Sequence, residues 1–370
     1  MGMNYFRVSL IGTGGYGESV VVQMGNHKWM VVDSCLDPVS KESLPLQYLK
    51  SQGVDIASDV KLVVCSHWHN DHILGMDLLL KECKSASLVL AITSDREKFL
   101  EFIGLDSRAD KVRAGTSSTN IMSNCLNIAN EHKIPVKIAV QDRLLLGMKD
   151  ADNDVKVYAL SPSDAMIADF GTELSTLIKD YTSKSNQRII VRSPNEKCIV
   201  LQVCVNEHTV ILGGDLEKSD VDNRGWLCIL NHCDCVKNAK ASLFKIPHHG
   251  SENAYEDEVW KKLFNHKVLV GQLSPFFHGR SSLPSKEMLI KFLKMVQHLY
   301  ITSYNKPTKP KKREKSMEKM IQKSNATLKE VTFQKGIIEN YINLDEKEGK
   351  WETKLYEKAF EINDNFVNRL

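Results

Sequence analysis

Apolar residues along this chain fall into short runs, not long ones. Residues 6–11, 19–24, 28–32 and 61–65 are rich in Val, Ile and Leu and bounded by polar or glycine-rich stretches, which reads as buried strands. Residues 88–93, 136–140, 154–160, 187–191, 197–203, 208–212, 241–246 and 267–273 repeat that pattern. Between them, residues 45–52, 73–84, 95–103 and 285–298 read as helices, the second with a Leu78-Leu79-Leu80 face. Residues 127–133 read as a helix end and 170–185 as helix or loop. Strands interleaved with helices predict an α/β protein. Residues 336–344 and 350–361, joined by a polar turn at 345–349, read as a closing hairpin.

The glycine cluster Gly12-Thr13-Gly14-Gly15-Tyr16-Gly17 invites a dinucleotide-binding reading. That fingerprint must open a helix, and here it opens the β-branched run Val20-Val21-Val22. A tight glycine hairpin is the better reading. No repeat of solenoid period is present. The expected organisation is one domain over 1–304, with a helical insertion at about 94–134 that could act as a lid. A basic linker and the C-terminal hairpin over 305–370 then pack on the same domain.

The chain's 370 residues, 42% hydrophobic and 26% charged, suffice for one large α/β domain or two smaller ones. A net charge of +3 makes no electrostatic claim for the body as a whole. Nine cysteines, among them Cys65, Cys198 and Cys204 in apolar runs, fit a reducing compartment, so no disulfide is expected. There is no secretory pattern and no run of membrane-spanning length. Met1-Gly2 is followed by Phe6 where a myristoylation signal needs Ser or Thr. These features predict a cytoplasmic protein with no membrane partner.

The chemistry concentrates in His67-Trp68-His69-Asn70-Asp71-His72, on the loop between the 61–65 strand and the 73–84 helix. Three imidazoles and a carboxylate within six residues suit a borderline divalent ion, Zn²⁺, or Mn²⁺ if more oxygen ligands join. His67 and His69, two apart in extended backbone, can face one ion, while Asp71 and His72 face a second. The alternative, a polar loop whose histidines cap the helix, leaves that density of ligand types unexplained. Two later stretches have matching contexts at strand ends: Gly213-Gly214-Asp215, whose carboxylate could bridge two cations or simply close a turn, and Pro247-His248-His249-Gly250-Ser251.

In this order the motifs resemble the metallo-β-lactamase-fold hydrolases. Within them the chain is similar to the hydrolase domain of the competence DNA-uptake protein ComEC and its stand-alone bacterial relatives. The features that carry this are residues 195–200, Gly213-Gly214-Asp215, residues 245–251 and the loop 274–280 before Pro284, in motif order over roughly residues 5–305. The resemblance implies an αββα four-layer sandwich and one or two divalent ions, Zn or Mn. It implies ligands His67, His69, Asp71, His72, Asp215 and His249. One of His248 and His249 binds; His249 is favoured because it precedes the small residue, which leaves His248 to touch substrate or donate a proton. Asp71 would bind an ion and orient the nucleophile. Asp33 stands where the family carries a supporting acid, although a turn or cap role explains it equally.

The pattern departs from the family at the third histidine that many relatives supply to the first ion. Only His132, at a helix end, and His208, roughly 20 Å up its strand from the metal end at strand rise, lie in that interval. The implied activity is metal-dependent hydrolysis, first of all a phosphodiesterase or nuclease with nucleic acid as partner. The alternatives are a small-molecule hydrolase (cyclic nucleotide, lactone or amide) and an effector module activated by a partner protein of a defence or uptake system. Two lesser signals are a structural zinc set of Cys228, His232, Cys233 and Cys235, and a basic stretch at 306–315 that could track phosphates or remain a solvated loop.

Overall fold

In a computed structural model the chain is described over residues 4–92, 95–111, 118–183, 194–237, 240–278, 281–304, 314–324, 334–346 and 349–370. The strands in chain order are β1 (Tyr5–Gly12), β2 (Glu18–Met24), β3 (Trp29–Val32), β4 (Val60–Cys65), β5 (Ser87–Leu90), β6 (Val136–Ile138), β7 (Arg143–Lys149), β8 (Asp154–Ala159) and β9 (Leu201–Val205). They continue with β10 (His208–Leu212), β11 (Leu243–Lys245), β12 (Val270–Leu273), β13 (Phe276–His278), β14 (Ser281–Leu283), β15 (His298–Ile301), β16 (Gly336–Asn343), β17 (Glu352–Glu357) and β18 (Phe360–Ile362). The α-helices are α1 (Leu44–Ser51), α2 (Ile56–Asp59), α3 (Asn70–Ile73), α4 (Met76–Glu82), α5 (Arg96–Lys111) and α6 (Ser118–Glu131). After them come α7 (Asp164–Ser183), α8 (Gly225–His232), α9 (Asp257–Leu263), α10 (Lys286–Leu293), α11 (Lys315–Lys323) and α12 (Asp364–Asn368).

Two eight-stranded sheets carry the architecture, in the orders β17-β16-β1-β2-β3-β4-β5-β6 and β18-β15-β12-β11-β10-β9-β8-β7. Alternation along each strand builds three apolar layers. Phe6, Val8 and Leu10 of β1, Val20 and Val22 of β2 and Leu62 and Val64 of β4 face Val155, Val203, Val210 and Leu243 of the other sheet. Their neighbours Ile11, Val21, Val31 and Val63 pack outward against Tyr48 and Leu49 of α1 and Leu79 and Leu80 of α4. On the far side Ile211, Phe244 and Leu299 pack against Trp226 of α8, Trp260 of α9 and Phe292 of α10. Burial on both faces is why the central strands read as continuous apolar runs. The result is a four-layer αββα sandwich. Among the described residues no helix is long and apolar enough to cross a membrane.

Several local readings change. The expected 73–84 helix is two helices, α3 and α4, because Leu74 leaves helical geometry and Gly75 turns left-handed at φ 80°. Residues 197–200 are not strand: Pro194–Lys197 forms a 3-10 turn before β9. Helix α10 stops at Leu293, and His298–Ile301 is a strand parallel to β12. The last apolar stretch divides, β17 pairing with β16 and β18 crossing to pair with β15 in the second sheet. Strand β7 and helices α8 and α9 were not anticipated. The strand expected at 187–191 lies outside the described residues.

Strands β3, β4 and β5 are mutually parallel, as are β10, β11, β12 and β15. Their C-terminal ends bring the histidine loop, Asp215 and His249 to one edge of the sandwich.

Candidate metal centre

The site begins where β4 ends. Asp33 leaves β3 with φ 61°, and its carboxylate accepts from Ser66 N at 2.7 Å, Ser66 Oγ at 2.6 Å and His72 Nδ1 at 2.8 Å. Of its two expected roles, then, support is the one it fills. With Nδ1 held by Asp33, His72 turns Nε2 toward the cleft, as carboxylate-backed metal histidines do. His69 precedes α3, whose first turn carries Asp71 and His72. Trp68 of the same loop stacks on Phe99 of α5 at 5.3 Å and tilts against Phe170 of α7 at 5.8 Å. Helices laid over the loop thereby fix its backbone.

The second contribution comes from β10. Gly214 sits at φ 50°, and a Cβ there would lie 2.4 Å from Cys198 Sγ and 3.0 Å from Ile199 O, so only glycine fits. The Asp215 that follows is 2% exposed. Its Oδ2 lies 3.3 Å from His72 Nε2, 3.7 Å from His249 Nε2 and 3.9 Å from His67 Nε2. From β11 the chain enters His248 and His249 at φ 47° and 53°, consecutive left-handed residues without a glycine. Such backbone persists only where surrounding contacts impose it. Here His249 Nδ1 meets Ser274 Oγ at 3.1 Å, its ring stacks on Phe276 at 5.1 Å, and its Nε2 lies 3.3 Å from Asp71 Oδ2.

Ligand atoms of Asp71, His72, Asp215 and His249 all lie within 4.8 Å of one another. Beside them His67 Nε2 and His69 Nδ1 are 3.1 Å apart. His248 stands aside: its Nδ1 lies 3.3 Å from Glu217 Oε1, its Nε2 lies 3.3 Å from Asn195 Nδ2, and its ring is 6.4 Å from that of His249. His132 is exposed beyond α6, and His208 lies at the opposite end of β10, beside Glu207 at 3.6 Å. Neither joins the cluster. The candidate zinc set on α8 also does not gather. His232 pairs with Asp222 at 3.0 Å, Cys228 Sγ donates to Gln141 Oε1, and Cys233 Sγ donates to Leu160 O.

Beneath the cluster lies a network that the motifs did not announce. Lys245, 1% exposed, pairs with Glu18, donates to Gly214 O at 3.0 Å and stands 3.8 Å from Asp215 Oδ1. Ser274 Oγ bonds Glu18 on its other side. The only hint in the sequence is a charged residue at one end of each of two strands, Glu18 opening β2 and Lys245 closing β11.

The donor set fits a divalent cation on two counts. First, His72 Nε2 and Asp215 Oδ1 are buried without a hydrogen-bond partner, which folded proteins avoid unless something else satisfies them. Second, four buried or nearly buried carboxylates (Glu18, Asp33, Asp71, Asp215) gather around the histidines, and Lys245 reaches two of them, Glu18 and Asp215. Burial disfavours a charged His72 ring, yet Asp215, Asp71 and Asp33 outweigh it and hold its pKa well above the usual imidazole range. For His67 burial prevails and holds the ring neutral, the form that ligates. Asp71, His72, Asp215 and His249 would hold one ion. His67 and His69, beside Asp215, would hold another with the same number of imidazoles and one carboxylate fewer.

Residues 12–95, from the end of β1 past β5, match the family described as the metallo-beta-lactamase superfamily. No curated protein matches the sequence. Solved structures similar to the chain include zinc-bound PqqB from Methylobacterium extorquens, 11% identical over 64% of this chain and 72% of that one, TM-score 0.33. The metallo-beta-lactamase SMB-1 is 15% identical over 67% and 78%, TM-score 0.33. The dizinc quorum-quenching lactonase AidC is 15% identical over 55% and 57%, TM-score 0.30. The histidine loop lies inside the matched residues, and the two sheets with their outer helices form the four-layer sandwich of the metallo-beta-lactamase fold around it.

Proposed function

We propose that this hydrolase is a phosphodiesterase acting on nucleic acid. The observation that carries the reading is where the chain keeps its positive charge. Residues 305–335 hold ten Lys or Arg and three Asp or Glu, a net +7 against +3 for the whole chain, so everything else carries −4. Both ends of that segment are tied to the metal edge. Thr302 N donates to Leu273 O at 2.9 Å, beside the Ser274 that contacts His249. Gly336 pairs with Gly12, at the head of the turn whose Gly17 packs near the Asp71 carbonyl. A polyanion would be repelled by the net charge of the rest of the chain and attracted by that of this segment.

Divalent ions bound there would supply Lewis acidity and a nucleophilic water at neutral pH. The chain's own contribution is orientation. Asp71 has a side chain 16% exposed against 3% for Asp215, so it is the carboxylate open to an attacking water and able to accept its proton. His248, fixed by Glu217 and Asn195, stands at the rim to hydrogen-bond the phosphate or the leaving oxygen. Lys245 and Glu18 keep Asp215 and His249 in place from below.

The test is hydrolysis of single- and double-stranded DNA, RNA and a small phosphodiester reporter, with Mn²⁺ or Zn²⁺, in wild type and a Lys311→Gln/Lys312→Gln/Arg313→Gln variant. Nucleic acid turnover should fall with a log–log salt slope about 2–3 shallower in the variant, while the reporter is hydrolysed equally by both. Equal loss on both substrates, or a nucleic acid activity insensitive to salt, would favour a small-molecule hydrolase. Inertness of metal-loaded protein on every substrate would favour a partner-activated effector.

A further inference from the structure

The imidazole of His67 is met on its Nδ1 side by two groups that lie outside the cluster of candidate ligands. Ser66 Oγ is 3.1 Å from Nδ1, and Cys198 Sγ is 3.6 Å from it. Both side chains are fully buried. They come from opposite halves of the sandwich. Ser66 follows β4 in the first sheet, and Cys198 lies in the stretch that leads into β9 of the second. Ile199 N donates to Ser66 O at 2.9 Å, so the two stretches are bonded to one another at this point.

Counting hydrogens fixes what each group can offer the ring. A hydroxyl has one hydrogen, a thiol has one and a carboxylate has none. The Ser66 hydroxyl donates to Asp33 Oδ2 at 2.6 Å. Asp33 has no hydrogen to return, and it also accepts from Ser66 N and His72 Nδ1. The Cys198 thiol donates to Ile199 O at 3.7 Å, and its sulfur accepts from Asp215 N at 3.1 Å. Toward His67, therefore, oxygen and sulfur both present lone pairs. Nδ1 meets them favourably only as a donor, since a bare nitrogen there would be a buried acceptor facing two acceptors. A neutral imidazole carries one ring hydrogen, so with Nδ1 protonated Nε2 is left bare. Nε2 points into the cluster, 3.1 Å from His69 Nδ1 and 3.9 Å from Asp215 Oδ2.

We propose that Ser66 and Cys198 are positioning residues, which hold the His67 hydrogen on Nδ1 and so turn a bare Nε2 toward the candidate metal. Asp33 then serves one histidine of each ion, His72 by direct contact and His67 through the Ser66 hydroxyl. The inference rests on the metal-centre reading and is independent of what the substrate is. Outer partners of this kind are worth about 10–100-fold in metal affinity.

The test has a spectroscopic arm and a metal-binding arm. In metal-free wild type with ¹⁵N-labelled histidine rings, long-range proton–nitrogen spectra, assigned with His67→Gln, should show the His67 hydrogen on Nδ1 and Nε2 bare. In Ser66→Ala the same ring should populate both tautomers, with an unchanged circular dichroism spectrum. In competition with a chromophoric chelator, Ser66→Ala should bind at least one zinc ion about tenfold or more weakly than wild type. Cys198→Ala should lose less, because sulfur is the weaker acceptor, and Asp33→Asn should lose most, because it touches both rings. The wild-type spectrum decides the tautomer even where a variant fails to fold. A His67 hydrogen on Nε2 in wild type, or zinc binding by Ser66→Ala equal to that of wild type, overturns the inference and leaves the metal centre standing. A wild-type protein that binds no zinc overturns both.

Discussion

Replacing Lys245 with Met keeps its length and apolar stem and removes its charge. The ammonium it deletes is paired with Glu18, hydrogen-bonded to Gly214 O, and 3.8 Å from Asp215 Oδ1. At an effective dielectric near 20, a unit charge pair at that last distance attracts by about 4 kcal/mol, and Glu18 is nearer still. Once the lysine is gone, two carboxylates, each 2% exposed, lose the ammonium they share and keep only the rings of His72 and His249 beside them. Breaking a buried pair from one side costs about 3–5 kcal/mol, mostly through the charge left behind. Unfolding entropy of roughly 2.1 cal/mol/K per residue gives this chain about 0.8 kcal/mol/K, so the melting temperature should fall by about 4–6 °C. The assay is circular dichroism melting at one scan rate, in EDTA so that bound metal cannot mask the loss, for Lys245→Met, Glu18→Gln and the double variant. The double variant should recover about 2 kcal/mol or more relative to the sum of the single losses, because neutralising Glu18 removes the charge that Lys245→Met strands. A Lys245→Met protein that melts within 1 °C of wild type, or single losses that simply add, would refute the argument.

Three further outcomes follow from the site. Asp71→Ala should lose several orders of magnitude in hydrolysis while folding normally, because Asp71 lies on the loop and not in the core, whereas exposed His132→Ala should retain nearly full activity in the same reporter assay. Gly214→Ala forces a Cβ to 2.4 Å from Cys198 Sγ at a left-handed φ, and should lower stability by about 2–4 kcal/mol, read from urea midpoints. Chelation should both abolish activity and lower the melting temperature. A metal present at a hundred times its dissociation constant contributes about 2.7 kcal/mol, or about 3 °C here, and readdition should restore both.

How much of this was legible depended on how far apart in the chain the interacting groups lie. The histidine loop could be read because its ligand types sit within six residues and follow an apolar strand. Asp215 and His249 could be read because each closes a strand beside glycine, where the backbone must turn sharply. Lys245 and Glu18 could not. They are far apart in sequence, and a charge at a strand end ordinarily signals solvent, so nothing local marks either as buried. The helix expected over 285–298 stops at Leu293, and the short run Leu299-Tyr300-Ile301 carries no readable period, so only pairing with β12 makes it a strand.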